Sequence, residues 1–128
     1  MHIDQKNKSV KPLIYSCSGC SNVAQLANHI AVSLDRGGEG EMSCIAGVGG
    51  GVRPLVKKAQ SRRHIIAIDG CPLKCVAHCL NNVGVSPNQH IILTDYNLKK
   101  KFGADFTKGE SDQMILKIRG LFPSEILG

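Results

Sequence analysis

Six cysteines are the residues of this 128-residue chain whose type and spacing are best suited to chemistry. Four of them form two close pairs, a C-x-x-C motif at Cys17 and Cys20 and a C-x-x-x-C motif at Cys71 and Cys75. Thiolates are strong ligands for zinc and other soft metals, and they are also the nucleophiles of redox proteins. The cysteines therefore predict metal binding or thiol exchange.

The composition indicates one ordinary globular domain. Hydrophobic residues make up 42% of the chain and charged residues 20%. The sequence contains no apolar run of about 20 residues for a membrane helix, and the polar stretch MHIDQKNKSVK does not look like a signal peptide. We expect a cytoplasmic protein with no membrane partner, in which close-set cysteines serve metal or redox chemistry rather than a disulfide framework. Residues 1–11 are expected to be a flexible segment and residues 12–128 the single domain.

The net charge of +6 raises the question of a nucleic-acid partner. Aromatic residues are only 4% of the chain and tryptophan is absent, so a surface that stacks on bases is hard to build. A nucleic-acid partner is therefore not expected, whereas a protein partner cannot be named from the sequence.

Strand and helix patterns alternate along the chain. Strands are predicted at residues 13–16, 42–47, 64–69 and 90–95, and helices at residues 21–35, 53–60, 71–84 and 111–121. The third helix is expected to use Cys71 as its N-cap and Pro72 as its first helical residue. This alternation predicts an α/β fold, a three-layer sandwich around a mostly parallel four-stranded sheet of flavodoxin or Rossmann type.

The predicted topology brings the two cysteine pairs together. If the strand order is 2-1-3-4, the first and third strands are neighbours, and ligands of such sheets bind where their carboxyl ends meet. A zinc ion held by four thiolates at about 2.3 Å is the site that this arrangement favours. The predicted metal ligands are Cys17, Cys20, Cys71 and Cys75.

The two remaining cysteines are less suited to this site. Cys79 lies eight residues beyond Cys71, a rise of about 12 Å along a helix, and is expected to be a core thiol. Cys44 lies near the end of the second predicted strand. It is the next candidate after the four predicted ligands, and it could be a ligand, a redox partner or a core residue.

Two alternatives to zinc remain open. Cys17 and Cys20 could form a thiol/disulfide or persulfide redox pair, with Cys71 or Cys44 as the resolving thiol. Four cysteines could also hold an iron–sulfur cluster. Asp69 is the only general base that the sequence suggests, so catalytic residues and a reaction are not assigned.

Other polar and glycine-rich features carry weaker signals. The run GVGGGV has Val52 where a dinucleotide fingerprint needs its third glycine, so a tight turn is expected there. Asp69 could cap the helix that follows it or hydrogen-bond beside the ligands. His64 and His90 begin predicted strands and are expected at the edge opposite the cysteines.

Three stretches together resemble the DGC-domain family. They are CSGCSNVAQLANHIA, MSCIAGVGG and IDGCPLKC, and the last contains the Asp69-Gly70-Cys71 motif that corresponds to the family name. The resemblance runs from about Cys17 to Asp95. It implies zinc binding through four cysteines, which we carry onto Cys17, Cys20, Cys71 and Cys75, and it implies no particular reaction.

Overall fold

The computed structural model describes residues 10–122. Its strands are β1 (Leu13–Ser16), β2 (Glu41–Met42), β3 (Ile65–Asp69) and β4 (Gln89–Ile92). Its helices are α1 (Asn22–Arg36), α2 (Ile45–Gly49), α3 (Arg53–Ala59), α4 (Cys75–Asn81) and α5 (Lys108–Arg119), with a 3-10 helix at Leu93–Tyr96. Residues 1–9, on which most of the predicted flexible segment falls, lie outside the described residues.

The four strands form one sheet in the order β2-β1-β3-β4. Every neighbouring pair is parallel, and the central register aligns Ser16 of β1 with Ile68 of β3. The predicted α/β fold with a parallel four-stranded sheet and the order 2-1-3-4 is confirmed.

Helices cover both faces of the sheet, as a three-layer sandwich requires. Successive β1 residues point to opposite faces, so Ile14 belongs to one buried cluster and Leu13 and Tyr15 belong to the other. The first cluster is completed by α1 and α5, and the second by α2, α3 and α4. Among residues 10–122 no helix is both long and apolar enough to cross a membrane.

Helix α1 follows the predicted pattern closely. Its apolar residues recur at helical spacing and are buried, and its N-cap Ser21 accepts a hydrogen bond from the Ala24 N–H at 3.1 Å. A serine at this position satisfies one of the free N–H groups of the first turn. The helix therefore begins two residues after Cys20, with Ser21 as its cap, which fixes the end of the C-x-x-C loop.

The prediction of a strand at residues 42–47 is wrong. Strand β2 ends at Met42, and Cys44 is the N-cap of the short helix α2. A short apolar run such as MSCIAG fits a buried strand and a buried helix equally well. Here the end of the run starts α2, which buries Val48 in the cluster that also holds Val76 and Leu80 of α4.

The predicted start of the third helix is also wrong. Helix α4 begins at Cys75 rather than at Pro72, and the residues before it form a turn in which the Lys74 N–H donates to the Cys71 carbonyl at 3.2 Å. Lys74 itself has a φ of 55° in the left-handed region. Proline favours a tight turn as readily as a first helical turn, because both need its fixed φ.

The last two elements differ from their predictions at the boundaries. Strand β4 ends at Ile92, and the 3-10 helix replaces the predicted strand residues after it. Helix α5 begins at Lys108 because Thr107 and Glu110 form a capping box, in which each side chain accepts from the backbone N–H of the other residue.

Candidate functional site

Backbone and side-chain hydrogen bonds join the two cysteine motifs. The Cys17 N–H continues the β1–β3 ladder by donating to the Ile68 carbonyl at 3.1 Å. The Gly70 N–H then donates to the Cys17 sulfur at 3.1 Å. The C-x-x-C loop and the DGC turn are therefore in direct contact at the carboxyl edge of the sheet.

Gly70 makes this contact possible because it has no Cβ. A Cβ at this position would lie 2.7 Å from the Val23 carbonyl carbon and 2.9 Å from the Ala24 nitrogen, both backbone atoms of the first turn of α1. Any larger residue would push the helix that follows Cys20 away from the turn that precedes Cys71. The glycine of the DGC motif thus sets the distance between the two pairs.

All four predicted ligands line one pocket of about 220 Å³. Cys17 and Cys71 are partly buried, whereas Cys20 and Cys75 are exposed. Asp69, Leu73, Lys74, Lys100 and Phe102 line the same pocket, which is called the cysteine pocket below. The structure therefore brings the four thiols together at one site.

The environment of Cys17 disfavours its thiolate. The pKa of the Cys17 thiol is raised to about 11, mainly by burial and to a lesser extent by nearby Asp69, Cys75 and Cys71, against the lowering effect of the Gly70 N–H. The contributions of these neighbours indicate that several groups able to carry negative charge share a small volume. A cation in the cysteine pocket would reverse this effect, because opposite charge favours the ionised form.

The Asp69 carboxylate, at the end of β3, stabilises the start of α4 through hydrogen bonds. Its carboxylate is 1% exposed and accepts hydrogen bonds from the Val76 N–H at 2.9 Å and the Ala77 N–H at 3.4 Å. Lys74, at the N-cap position, makes no side-chain cap. Of the two predicted roles for Asp69, capping the following helix is the one observed, and it positions Cys75 at the first residue of α4.

His90 holds the other side of the Asp69 carboxylate. Its Nε2 donates to Asp69 Oδ2 at 2.7 Å, so the prediction that His90 lies at the edge opposite the cysteines is wrong. The register explains the difference, because His90 pairs with Ala67, two residues before Asp69, and not with the start of β3. The sequence offered no signal for this pair.

A loop segment, residues 99–103, forms a wall of the cysteine pocket and is called the strap. The Asn22 side chain accepts from the Lys101 N–H at 2.7 Å and donates to the Lys99 carbonyl at 2.9 Å. The Lys101 carbonyl accepts from the Asn22 N–H at 3.0 Å, and the Cys20 carbonyl accepts from the Gly103 N–H at 3.0 Å. These bonds fix the strap to the residues that follow the C-x-x-C motif.

The strap brings two residues to the site that sequence reasoning missed. Lys100 Nζ donates to the Cys71 sulfur at 3.4 Å and lies 4.8 Å from the ring centroid of Phe102. The stretch KKKFG reads as a solvated basic loop, and its long-range bonds to Cys20, Ser21 and Asn22 place it beside the cysteines.

Known proteins resemble this chain over most of its length. Residues 13–118 match the DGC domain. This chain belongs to the DGC-domain family. The DGC domain described here is also 51% identical, over 110 residues, to the anaerobic and virulence modulator AnvM of Pseudomonas aeruginosa, with 86% of this chain and 84% of that protein covered. No solved structure matches the chain significantly.

The other two cysteines of the DGC domain lie outside the cysteine pocket. Cys44 is exposed and lines a separate cavity with Asp35 and Arg36. Cys79 is partly buried rather than a full member of the core, and burial raises its pKa. Its sulfur packs against α2, where a Cβ on Gly49 would lie 2.9 Å from it.

The four thiols line one pocket, but they are not arranged as a complete metal site. In the described part of the DGC domain, no group of three or more His, Cys, Asp or Glu side chains is arranged so that it could hold a metal ion as placed. Cys20 and Cys75 are exposed at the end of a loop and the start of a helix. A shared ion would therefore require these side chains to turn inward.

A larger cavity, of about 490 Å³, lies at the opposite edge of the sheet. It is lined by Arg62, Arg63 and Asn88 among others, and none of the described residues that line it is a cysteine, a histidine or a carboxylate. The volume of a cavity does not by itself identify the functional site, because the smaller cysteine pocket holds the reactive side chains. The cysteine pocket is the candidate functional site of this DGC domain.

Proposed function

We propose that this DGC domain binds a soft divalent metal ion, with zinc as the first candidate, through the thiolates of Cys17, Cys20, Cys71 and Cys75. The observation that carries the proposal is that these four side chains, from two distant parts of the chain, line one pocket of about 220 Å³. Four thiolates in a tetrahedron are a common zinc environment. A closed site of this kind suits a structural role or metal storage and transfer.

The charges around the pocket support thiolate ligands. Four thiolates around a divalent ion leave a net negative charge, which nearby donors and cations can offset. The Gly70 N–H already donates to the Cys17 sulfur, and Lys100 Nζ already donates to the Cys71 sulfur.

The redox alternative has less support from the surroundings of Cys17. A thiol with a pKa of about 11 is a poor nucleophile at neutral pH. A thiol/disulfide or persulfide mechanism would have to begin at exposed Cys20, with Cys17 as its partner. An iron–sulfur cluster would use the same four thiolates, so only the identity of the bound metal distinguishes it from a zinc site.

The name of the relative from P. aeruginosa, an anaerobic and virulence modulator, is compatible with this proposal. Thiolates are oxidised when they are exposed, so a metal–thiolate site can respond to the redox conditions around it. We extend a modulating role of this kind to the present chain as part of the proposal. An enzymatic reaction is not part of it.

Metal analysis of protein purified without added metal tests the proposal. We expect close to one zinc per chain, a strong loss of zinc in Cys71→Ser, and full zinc content in the matched control Cys44→Ser, because Cys44 lines a different cavity. Iron together with sulfide in the purified protein, in place of zinc, would support the iron–sulfur cluster instead. A metal content far below one per chain that Cys71→Ser leaves unchanged would refute the proposal.

A further inference from the structure

Two large apolar side chains are exposed at the mouth of the cysteine pocket. Leu73, in the turn between Cys71 and Cys75, is 65% exposed, and Phe102, on the strap, is 74% exposed. Single exposed apolar residues are common. These two are distinguished because both line the same pocket as the thiols.

Lysines accompany the apolar side chains. Lys74 and Lys100 line the pocket, and the strap carries Lys99 and Lys101 on either side of Lys100. Among residues 10–122, the only carboxylate that lines the pocket is Asp69, which is 1% exposed and already bonded within the fold. The lysines therefore give the rim around the thiols a positive charge. The pocket rim is defined here as Leu73, Lys74, Lys100 and Phe102.

The rim is held in place before any partner arrives. The strap is fixed by the bonds between Asn22 and both Lys99 and Lys101, and Phe102 forms an antiparallel bridge with Ser21. Lys74 has a left-handed backbone that ends the turn carrying Leu73. A preorganised surface loses little conformational entropy on binding.

We propose that the pocket rim is a docking surface for an acidic segment of another protein. An apolar side chain of that segment packs against Leu73 and Phe102, and its carboxylates pair with Lys74 and Lys100. Complementary charge selects this occupant over a second copy of the chain, because two copies would bring like charges together and each copy carries a net charge of +6. Nucleic acid is a poorer fit, because Lys100 occupies a face of the Phe102 ring that a base would need.

A peptide titration tests the docking surface with the full-length chain as purified. The probe is a blocked synthetic peptide in which glutamates flank one phenylalanine, and amide NMR shifts report where it binds. We expect shifts at the rim and the strap, an affinity that falls as salt is raised, and about tenfold or greater weakening in the Leu73→Ser/Phe102→Ser variant, since apolar anchors dominate such interfaces. The matched control Leu116→Ser changes an equally exposed residue of α5 and should leave the affinity unchanged.

Several results would overturn the docking proposal. These are equal binding by the Leu73→Ser/Phe102→Ser variant, equal weakening by Leu116→Ser, equal binding of a peptide with lysines in place of glutamates, or no shifts at the rim. Binding to phosphatidylglycerol vesicles without peptide binding would assign the rim to a membrane surface instead. Because the variant leaves all cysteines in place, its zinc content separates failure of this proposal from failure of the metal proposal.

Discussion

The Gly70 N–H donates a hydrogen bond to the Cys17 sulfur at 3.1 Å, across 53 residues of sequence. This bond joins the DGC turn to the C-x-x-C loop at the point where β1 and β3 end side by side. The cysteine pocket depends on that junction, because each motif supplies two of its four thiols.

Gly70→Ala should destabilise the fold and separate the two motifs. The new methyl group would collide with backbone atoms of Val23 and Ala24, and overpacking against rigid neighbours costs about 3 kcal/mol. Chemical denaturation measures the loss in the free energy of unfolding. The control Gly109→Ala places a methyl group 3.9 Å from its nearest neighbour in the first turn of α5 and should be neutral or stabilising by up to about 1 kcal/mol. Equal effects from the two variants would mean that the close approach at Gly70 is unimportant.

Asp69→Ala should be more damaging than His90→Ala. Without the carboxylate, the buried Val76 N–H at the start of α4 has lost its partner, which costs about 3 kcal/mol once the loss of charge-assisted bonds is included. His90→Ala removes one bond to Asp69 but leaves the helix cap intact, so a loss of about 1 kcal/mol is expected. Thermal and urea unfolding of both variants provide the comparison. Similar losses in the two would argue that Asp69 does not anchor α4.

The order of the strands could be predicted because the signals for it are local and repeated. Residues 13–16 and 64–69 are short apolar runs followed by cysteine-bearing turns, and α1 shows helical spacing throughout. The right-handed crossovers of parallel sheets then leave few topologies. The shared location of Cys17, Cys20, Cys71 and Cys75 followed from that topology.

The parts that could not be predicted depend on long-range contacts. Helix α4 starts at Cys75 because its free N–H groups meet the Asp69 carboxylate, and no local rule separates that start from one at Pro72. The strap reaches the pocket through bonds from Asn22 to Lys99 and Lys101, which are separated from it by 77 and 79 positions in the sequence. The capping box of Thr107 and Glu110, by contrast, was a local signal that the prediction of residues 111–121 overlooked.

Asn22→Ala should release the strap without unfolding the domain. Asn22 is 6% exposed, and its side chain makes two of the bonds that hold residues 99–101. Their loss should cost about 2 kcal/mol and speed hydrogen exchange at the Lys101 amide. Asn82→Ala, at the exposed end of α4, is the control. Unchanged exchange at Lys101 in Asn22→Ala would show that the strap is held by other contacts.

Cys17 should react slowly with iodoacetamide in metal-free, folded protein until the pH approaches 11. Burial raises its pKa from 9.0 to about 11, so folding favours the neutral thiol. The stability that the neutral thiol contributes to the fold is therefore fully present below pH 9 and is lost as the pH rises towards 11. Mass spectrometry of the Cys17 peptide over a pH series gives the rate, with protein unfolded in urea as the control. A rate in the folded protein that already levels off near pH 9 would contradict the raised pKa.

The most direct test of the central claim is X-ray absorption at the zinc edge of protein loaded with one equivalent of zinc. If both cysteine pairs bind the same ion, the spectrum should fit four sulfur ligands at about 2.3 Å. Cys20→Ser and Cys75→Ser, one from each pair, should each reduce the sulfur count to three, while Cys44→Ser leaves it at four. A parental spectrum with two sulfurs or fewer, or a sulfur count that Cys75→Ser does not change, would contradict the claim that the two motifs form one site.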